Sequence, residues 1–293
     1  MRTSDPSRSS APHRRRPLDA EVDAYGLTHT GKVRKANQDH FLLGSLRKHL
    51  DVHYTSLADA EQLPVSGERL AYLAMVADGV GSGERGGEAS RLAVAAATDY
   101  VAHGMDCYYS ADSQDEGVFL EALQEAAMQC HAAVLERAQD DPVRSGMATT
   151  LTLWIGVGPW SYLLQVGDSR CYLYHGGKLA QISRDQTMAQ ELVDQGVLTR
   201  SDADNSRWAH VLSSAIGGQQ TAPVVTRFRQ SWRSVGMLCS DGLTKHVSDD
   251  QIRERLGNMT SAKQVCEDLL QDALDGGGTD NITVIVGRAL RKD

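Results

Sequence analysis

Residues 70–79 read Leu-Ala-Tyr-Leu-Ala-Met-Val-Ala-Asp-Gly, an unbroken apolar run that stops at an acidic residue followed by glycine. A run of this length that ends at a turn signal is typical of a buried strand. Residues 236–242 have a similar form, Gly-Met-Leu-Cys-Ser-Asp-Gly. Each segment therefore predicts a core strand that carries an aspartate, Asp78 or Asp241, to the end of a sheet.

Around these strands, the spacing of apolar residues changes from one segment of the chain to the next. Apolar residues recur every three or four positions over residues 84–104 and 117–138, which predicts two helices. Further strands are predicted at 149–157, 160–166, 171–174, 179–182, 224–228, 235–239 and 282–286, and further helices at 188–196, 249–256 and 262–274. This order of elements lacks the regular alternation of strand and helix that builds a parallel sheet. It predicts an α+β fold with antiparallel sheets covered by helices.

Five aspartates lie at an edge of a predicted core strand: Asp39, Asp78, Asp168, Asp241 and Asp280. Strands that end together bring such carboxylates to one rim, where like charges raise one another's pKa and oppose folding. A divalent cation removes that cost, and Mg²⁺ and Mn²⁺ prefer oxygen ligands of this kind. An isolated Asp-Gly is usually only a turn. The residues alone leave a metal site and a set of turns about equally open.

Composition excludes several classes of protein. The chain has 293 residues, a hydrophobic fraction of 41% and a net charge of −8, so a broad basic surface for nucleic acid is not expected. No apolar stretch reaches the roughly 18 residues of a membrane span. The five cysteines form no C-x-x-C pair, which argues against a structural zinc site. An odd number of cysteines without a secretory signal is expected of a protein in the reducing cytoplasm.

The first 21 residues differ from the rest of the chain. They are rich in serine, proline and arginine, including Arg14–Arg16, and nearly lack apolar side chains. This composition predicts a disordered basic tail, with a transit peptide or a basic docking arm as alternatives. Residues 22–293 are predicted to form one domain. Within it, residues 47–68 look like an inserted loop to which we assign no function.

A glycine pattern in the chain imitates a nucleotide-binding motif. Residues 81–86 read Gly-Ser-Gly-Glu-Arg-Gly, which matches G-x-G-x-x-G after a strand and before a helix. A dinucleotide fold would also need a second strand carrying an acid about 20 residues on. Asp99 is near that position, but it falls inside a predicted helix. The dinucleotide hypothesis is therefore disfavoured.

Six segments, taken in order, resemble the bacterial form of the PPM (type 2C) metal-dependent Ser/Thr protein phosphatases. They are residues 31–39 (GKVRKANQD), 76–81 (VADGVG), 146–150 (GMATT), 166–170 (VGDSR), 239–243 (CSDGL) and 278–281 (GTDN). Each segment alone is weak evidence, whereas six in the family's order are specific. The resemblance covers the chain from about residue 25 to residue 286.

The resemblance implies an α-β-β-α sandwich with a metal centre at one end, which would hold two Mn²⁺ or Mg²⁺ ions. For bacterial members it also implies a third, weaker ion. Asp78 would bridge the two ions, and the backbone carbonyl of Gly79 would be a further ligand. Asp241 and Asp280 would complete the ligands of the first ion. Asp39 would hold metal-bound waters, and Asp168 would share a third ion with Asp241.

The resemblance also assigns a phosphate-binding role to Arg34 and a mobile flap to residues 186–217. Two positions depart from the family's pattern. Gln38 stands where many members have glutamate, and Val80 stands where eukaryotic members often have a histidine. The first departure puts metal affinity in question, and the second puts the source of the leaving-group proton in question.

The function implied is hydrolysis of phosphoserine and phosphothreonine in proteins by a metal-activated water. The expected partners are proteins phosphorylated by a bacterial Ser/Thr kinase, and the expected state is a cytoplasmic monomer. One alternative is a catalytically silent relative that binds phosphoproteins without turnover, which the presence of Asp78, Asp241 and Asp280 disfavours. The other is a two-metal nuclease, which the net charge of −8 disfavours.

Overall fold

The computed structural model describes residues 17–48, 68–81, 84–104, 116–139, 145–158 and 160–290. In these ranges the strands form two antiparallel sheets. The five-stranded sheet has the order β1 (Val22–His29), β11 (Ile282–Ala289), β10 (Val235–Cys239), β7 (Arg170–His175) and β8 (Lys178–Gln181). The six-stranded sheet has the order β2 (Asp39–Lys48), β3 (Glu68–Val80), β5 (Leu151–Val157), β6 (Trp160–Val166) and β9 (Val224–Arg229), with β4 (Ala148–Thr149) paired to β3.

Helices cover the outer face of each sheet. α1 (Glu84–Asp99) and α2 (Glu116–Gln139) lie on the six-stranded sheet, and a π turn at Tyr100–Gly104 follows α1. The five-stranded sheet is covered by α5 (Asp241–Thr244), α6 (Asp249–Gly257) and α7 (Ala262–Asp275). Two short helices, α3 (Met188–Asp194) and α4 (Arg200–Asp204), lie between β8 and β9.

Three apolar clusters correspond to the three interfaces between layers. The first joins α1 and α2 to the six-stranded sheet, and the second joins α5 to α7 to the five-stranded sheet. The third lies between the sheets and includes Ala74, Leu163 and Leu238. The sheets approach closely at Gly26, where an added Cβ would lie 2.9 Å from the ring of Phe41. The α+β fold and its α-β-β-α sandwich are therefore confirmed.

The long segments follow the sequence prediction closely because their burial pattern is strong. The run at residues 70–79 lies inside β3, and the small residues Ala89, Ala93 and Ala97 of α1 are fully buried against that sheet. Three elements had no counterpart in the prediction. They are β1, which is partly exposed along its length, and the short helices α4 and α5. None of them has enough consecutive apolar residues to produce a periodic signal.

The expected tail over residues 1–21 falls mostly outside the described residues. Residues 17–21 are described, and they contact the domain. Asp19–Glu21 form a short 3₁₀ turn, Asp19 pairs with Arg47 and Arg69, and the carbonyl of Glu21 accepts a hydrogen bond from the backbone N–H of Leu290 at 2.7 Å. The predicted loop at 47–68 also lies almost entirely outside the described residues.

Two expectations, on membrane-spanning segments and on the cysteines, can be compared with the described part of the chain. None of its helices combines the length and the apolar character needed to cross a bilayer. Cys130, Cys171, Cys239 and Cys266 are free and buried, so they behave as small core side chains. Cys107 lies outside the described residues.

Candidate metal centre

The topology brings the five predicted aspartates to one end of the sandwich. Asp39 begins β2 and lies opposite Asp78 near the end of β3 in the antiparallel register. Asp241 follows β10, and Asp280 precedes the neighbouring strand β11. Asp168 lies in the turn from β6 to β7, which connects the two sheets. Both sheets therefore contribute carboxylates to one rim.

Two threonines of the 146–150 segment fix the backbone of Asp78. The Asp78 N–H donates to Thr150 Oγ1 at 2.9 Å, and the Asp78 carbonyl accepts from Thr149 Oγ1 at 2.8 Å and from the Thr150 N–H at 2.9 Å. Thr150 Oγ1 also lies 2.8 Å from Ser169 Oγ, beside Asp168. The end of β3 is thus held in place independently of any group bound by the Asp78 carboxylate.

Asp39 is almost fully buried, and hydroxyl groups of the opposite sheet bind it. Ser240 and Thr283 each donate to its Oδ2 at 2.7 Å. Ser240 precedes α5, but its hydroxyl donates to Asp39 and does not cap the helix N-terminus. Asp39 therefore links the ends of β2, β10 and β11 at this rim.

Asp280 is surrounded by cationic groups. The Arg34 guanidinium binds it with two contacts, Nε to Oδ1 at 2.7 Å and Nη2 to Oδ2 at 2.9 Å. The Lys245 ammonium lies 2.7 Å from Asp280 Oδ2 and 2.6 Å from Asp241 Oδ2. The buried Asn281 holds the loop that presents Arg34, because it donates to the carbonyls of Thr30 and Ala36.

Asp168 and Asp241 meet a histidine from the predicted flap region. One ligand atom from each of Asp168, His210 and Asp241 lies within 4.8 Å of the others. The His210 Nδ1 is 3.9 Å from Asp241 Oδ2, and its side chain is exposed. The segment is anchored at its base, where Gln186 Oε1 accepts from the Gly167 N–H at 2.8 Å.

The electrostatics of the cluster are those of crowded carboxylates in a poorly solvated site. Burial raises the pKa of Asp39 to about 6, although hydrogen bonds from Thr283 and Ser240 oppose the shift. Burial, then the charges of Asp39 and Asp241, raise the pKa of Asp78 well above its usual value. Burial, then the charge of Asp241, raise the pKa of Asp168 to about 8. Burial acts in the same direction on Asp280, but hydrogen bonds from Arg34 and Lys245 outweigh it and lower that pKa.

Divalent cations fit this donor set. Two buried carboxylate oxygens, Asp39 Oδ1 and Asp241 Oδ1, have no hydrogen-bond partner in the described part of the chain. A buried oxygen that carries charge and lacks a partner is costly. Hard divalent ions bind carboxylate oxygens of this kind and would offset both the burial and the mutual repulsion that raise the three pKa values.

Glycines follow Asp78 and Asp241 because backbone passes too close for a side chain. A Cβ on Gly242 would lie 1.9 Å from the Asn281 carbonyl oxygen, and one on Gly79 would lie 2.3 Å from the Gly86 carbonyl. Gly86, the last glycine of the imitated nucleotide motif, therefore packs helix α1 against the end of β3. No phosphate contact is needed to explain it.

We expect Gly242→Ala to destabilise the protein, because the new methyl group would overlap backbone that cannot move independently of β11. Overpacking of this kind costs about 1–3 kcal/mol, or about 3–10 °C in Tm for a domain of this size. Thermal melting followed by circular dichroism measures the effect. Gly117→Ala is the matched control, because nothing lies within 4 Å of its added Cβ. Equal melting temperatures for the two variants would contradict the packing argument.

Sequence reasoning missed several residues of this site. Lys245 carries no motif signal, because a lysine four residues after an aspartate is ordinary on a helix. His210 carries no motif signal either, since its partners Asp168 and Asp241 are 42 and 31 positions away in the chain. Thr149 and Thr150 were part of the quoted resemblance, but their contacts with Asp78 could not be deduced from it.

Comparison with known proteins gives a consistent result. A family model described as "Protein phosphatase 2C" matches residues 57–276. The serine/threonine protein phosphatase PstP of Mycobacterium tuberculosis is 34% identical over 236 residues, which are 80% of this chain and 43% of PstP. The chain thus spans less than half the length of that relative. The protein phosphatase PhpP of Streptococcus pneumoniae is 27% identical over 261 residues, with 88% of this chain and 94% of PhpP covered.

A solved structure supports the same comparison. The catalytic domain of the phosphatase PstP in complex with two manganese ions has a TM-score of 0.71 and 29% identity to this chain. The match covers 92% of this chain and 99% of that domain. The fold therefore extends over nearly the whole of the solved domain.

Proposed function

Since this chain belongs to the protein phosphatase 2C family, we propose that it is a metal-dependent protein phosphatase that hydrolyses phosphoserine and phosphothreonine. The observation that carries the proposal is the meeting of five carboxylates at one rim, with Asp39 Oδ1 and Asp241 Oδ1 buried and unpartnered among the described residues. A silent phosphoprotein-binding relative would have no need to keep such a costly cluster.

We assign the metal ligands as the resemblance to the family implies them. Asp78 would contact two ions, with the Gly79 carbonyl as a neighbouring ligand, and Asp241 and Asp280 would hold one of them. Asp39, held by Ser240 and Thr283, would orient ligand water through its second oxygen. Asp168 would serve a third ion together with Asp241, and the approach of His210 supports a site there.

The chemistry follows from this arrangement. Two bound Mn²⁺ or Mg²⁺ ions supply a water of lowered pKa as the nucleophile and positive charge to offset that of the phosphoryl group. The chain's own residues position that reaction. Thr149 and Thr150 fix the backbone of Asp78, and Asp39 stays ionised above a pKa of about 6.

Arg34 is suited to bind the phosphoryl group of the substrate. Its side chain is 46% exposed at the rim, and its planar fork already binds a carboxylate with two contacts. A phosphate presents a similar pair of oxygens to that fork.

We therefore expect Arg34→Ala to raise the KM for a phosphothreonine peptide about 10- to 100-fold, the usual worth of hydrogen bonds to a charged group. The affinity for Mn²⁺, measured by calorimetry, should not weaken. Arg253→Ala is the control, because Arg253 pairs only with the exposed Asp250 among the described contacts. An unchanged KM would contradict the phosphate-binding role, and the pairing with Asp280 would then be the remaining role of Arg34.

The activity itself is tested with purified protein on p-nitrophenyl phosphate and a phosphothreonine peptide. Turnover is expected only with added Mn²⁺ or Mg²⁺, and a chelator should stop it. Absence of peptide turnover in both metals would refute the proposal. Cleavage of single-stranded DNA under the same conditions would favour the nuclease alternative.

We also infer that the substrates are proteins phosphorylated by a bacterial Ser/Thr kinase and that the enzyme acts as a cytoplasmic monomer. The buried thiols of Cys130, Cys171, Cys239 and Cys266, free of disulfides, support a reducing compartment. Residues 186–217, beside the carboxylate rim, would select the substrate. Phosphoproteomic comparison of a deletion strain with its parent, and gel filtration of the protein, test these inferences.

A further inference from the structure

Lys245 places an ammonium group inside the carboxylate rim. The residue follows α5, one helical turn after Asp241, so its side chain folds back over the start of that helix. Its Nζ lies 2.6 Å from Asp241 Oδ2 and 2.7 Å from Asp280 Oδ2, and only 20% of the side chain is exposed. One positive charge thus joins the carboxylate at the start of α5 to the carboxylate that precedes β11.

These contacts use oxygens that a divalent ion would need. Asp280 Oδ1 accepts from Arg34 Nε and from the Asn281 N–H, and Asp280 Oδ2 accepts from Arg34 Nη2 and Lys245 Nζ. Asp241 Oδ2 is shared with Lys245, so of the four oxygens of this pair only Asp241 Oδ1 lacks a partner among the described residues. The carboxylate pair is therefore already neutralised by the protein itself.

An ammonium and a divalent ion cannot both bind these oxygens closely. A Mg²⁺ ion lies about 2.1 Å from each oxygen ligand. Such an ion would stand only a few ångströms from the present position of Nζ, where the repulsion of like charges is strong in a poorly solvated site. The lysine stem is flexible, so its ammonium can withdraw to solvent at little steric cost.

We propose that Lys245 is an internal counterion of the Asp241–Asp280 pair, which it leaves when a divalent cation binds. It thereby weakens the affinity of the site and sets the metal concentration at which the enzyme becomes active. The inference rests on the proposed function only in taking Asp241 and Asp280 as metal ligands. It adds a residue that opposes metal binding to those that support it.

Calorimetric titration with Mn²⁺ tests the competition. Lys245→Gln removes the charge at similar length, and it should tighten the Mn²⁺ dissociation constant by about tenfold or more. The same variant should melt earlier than wild type in chelator, because Arg34 alone is then left to offset the charge of the two carboxylates. Lys245→Arg keeps the charge and should behave as wild type in both measurements. Lys263→Gln, an exposed position on α7, is the matched control.

A second measurement uses the wild-type chain and avoids any folding defect. Acetylation with an amine-reactive reagent, followed by peptide mass spectrometry, reports how accessible each lysine is. Adding Mn²⁺ should increase labelling of Lys245 several-fold and leave Lys263 unchanged. Unchanged or reduced labelling of Lys245, or an Mn²⁺ affinity unaffected by Lys245→Gln, would overturn the proposal.

The two hypotheses fail in different ways. If Mn²⁺ binds and Lys245→Gln tightens it while no phosphopeptide is hydrolysed, the proposed function is wrong and the counterion role stands. If wild type hydrolyses phosphopeptide but Lys245→Gln binds Mn²⁺ with the same affinity as wild type, only the counterion role is wrong. A chain that binds no Mn²⁺ at millimolar concentration would refute both.

Discussion

Replacing Asp241 with asparagine should lower kcat for a phosphothreonine peptide by at least about 100-fold, while the protein remains folded. Loss of groups that merely orient a metal ligand already costs about 10- to 100-fold, and Asp241 is assigned as a ligand itself. The amide has the same shape, so the packing around α5 should persist. Steady-state kinetics in saturating Mn²⁺ and circular dichroism measure the two effects.

Asp275→Asn is the matched control for this variant. Asp275 also precedes a glycine, but it is exposed at the end of α7 and accepts a hydrogen bond from Gln271. Its replacement should leave kcat and Mn²⁺ affinity unchanged. Wild-type turnover in Asp241→Asn would refute the assignment of Asp241 as a ligand.

Without metal, the protein should become less stable as the pH rises from 5 to 8. In the folded state the pKa of Asp39 is about 6, that of Asp168 is about 8, and that of Asp78 is raised well above its usual value. Unfolded aspartate titrates near 3.9. Between these values the folded state binds more protons than the unfolded state, so the free energy of unfolding falls as the pH rises.

The expected fall in Tm is large for one cluster of side chains. One unit of pKa shift corresponds to about 1.4 kcal/mol, or about 2–4 °C in Tm for a domain of this size. With three carboxylates shifted upward, Tm in chelator should fall by more than about 5 °C between pH 5 and pH 8. Asp280 does not contribute in this window, because its lowered pKa affects stability only as the pH falls below about 4.

Differential scanning calorimetry in chelator and in saturating Mn²⁺ checks this prediction. Bound metal should remove most of the decline, since the carboxylates are then compensated in the folded state. Asp168→Asn should flatten the decline in chelator, whereas Asp275→Asn should not. A metal-free Tm that rises steadily from pH 5 to pH 8 would contradict the carboxylate cluster as the source of the effect.

Much of this site could be predicted before the fold was known. Asp78 and Asp241 were recognisable because each ends an apolar run and precedes a glycine, a pattern that local burial alone imposes. Asp39, Asp168 and Asp280 carried weaker local signals, and only the resemblance to a family joined them into one site. The glycine pattern at residues 81–86 was misleading in isolation, because close packing of α1 on Gly79 and phosphate binding both favour glycine.

Other features could not have been predicted, because they depend on contacts between distant residues. Lys245 lies between Asp241 and Asp280 only because β10 and β11 are neighbours. His210 reaches the rim only because the segment between β8 and β9 folds back on it. The short strand β1 is stabilised by its pairing with β11, which lies 253 or more residues further along the chain at every paired position.

Most of the strands and helices, and the acidic residues at strand ends, could be predicted from the chain alone, because hydrophobic period and turn chemistry act over a few neighbouring residues. The packing of the two sheets sets which carboxylates share a site, which oxygens remain unpartnered and which cations neutralise the rest. Those properties depend on distances of a few ångströms between side chains from separate strands, and electrostatic energies in a poorly solvated site change steeply over such distances.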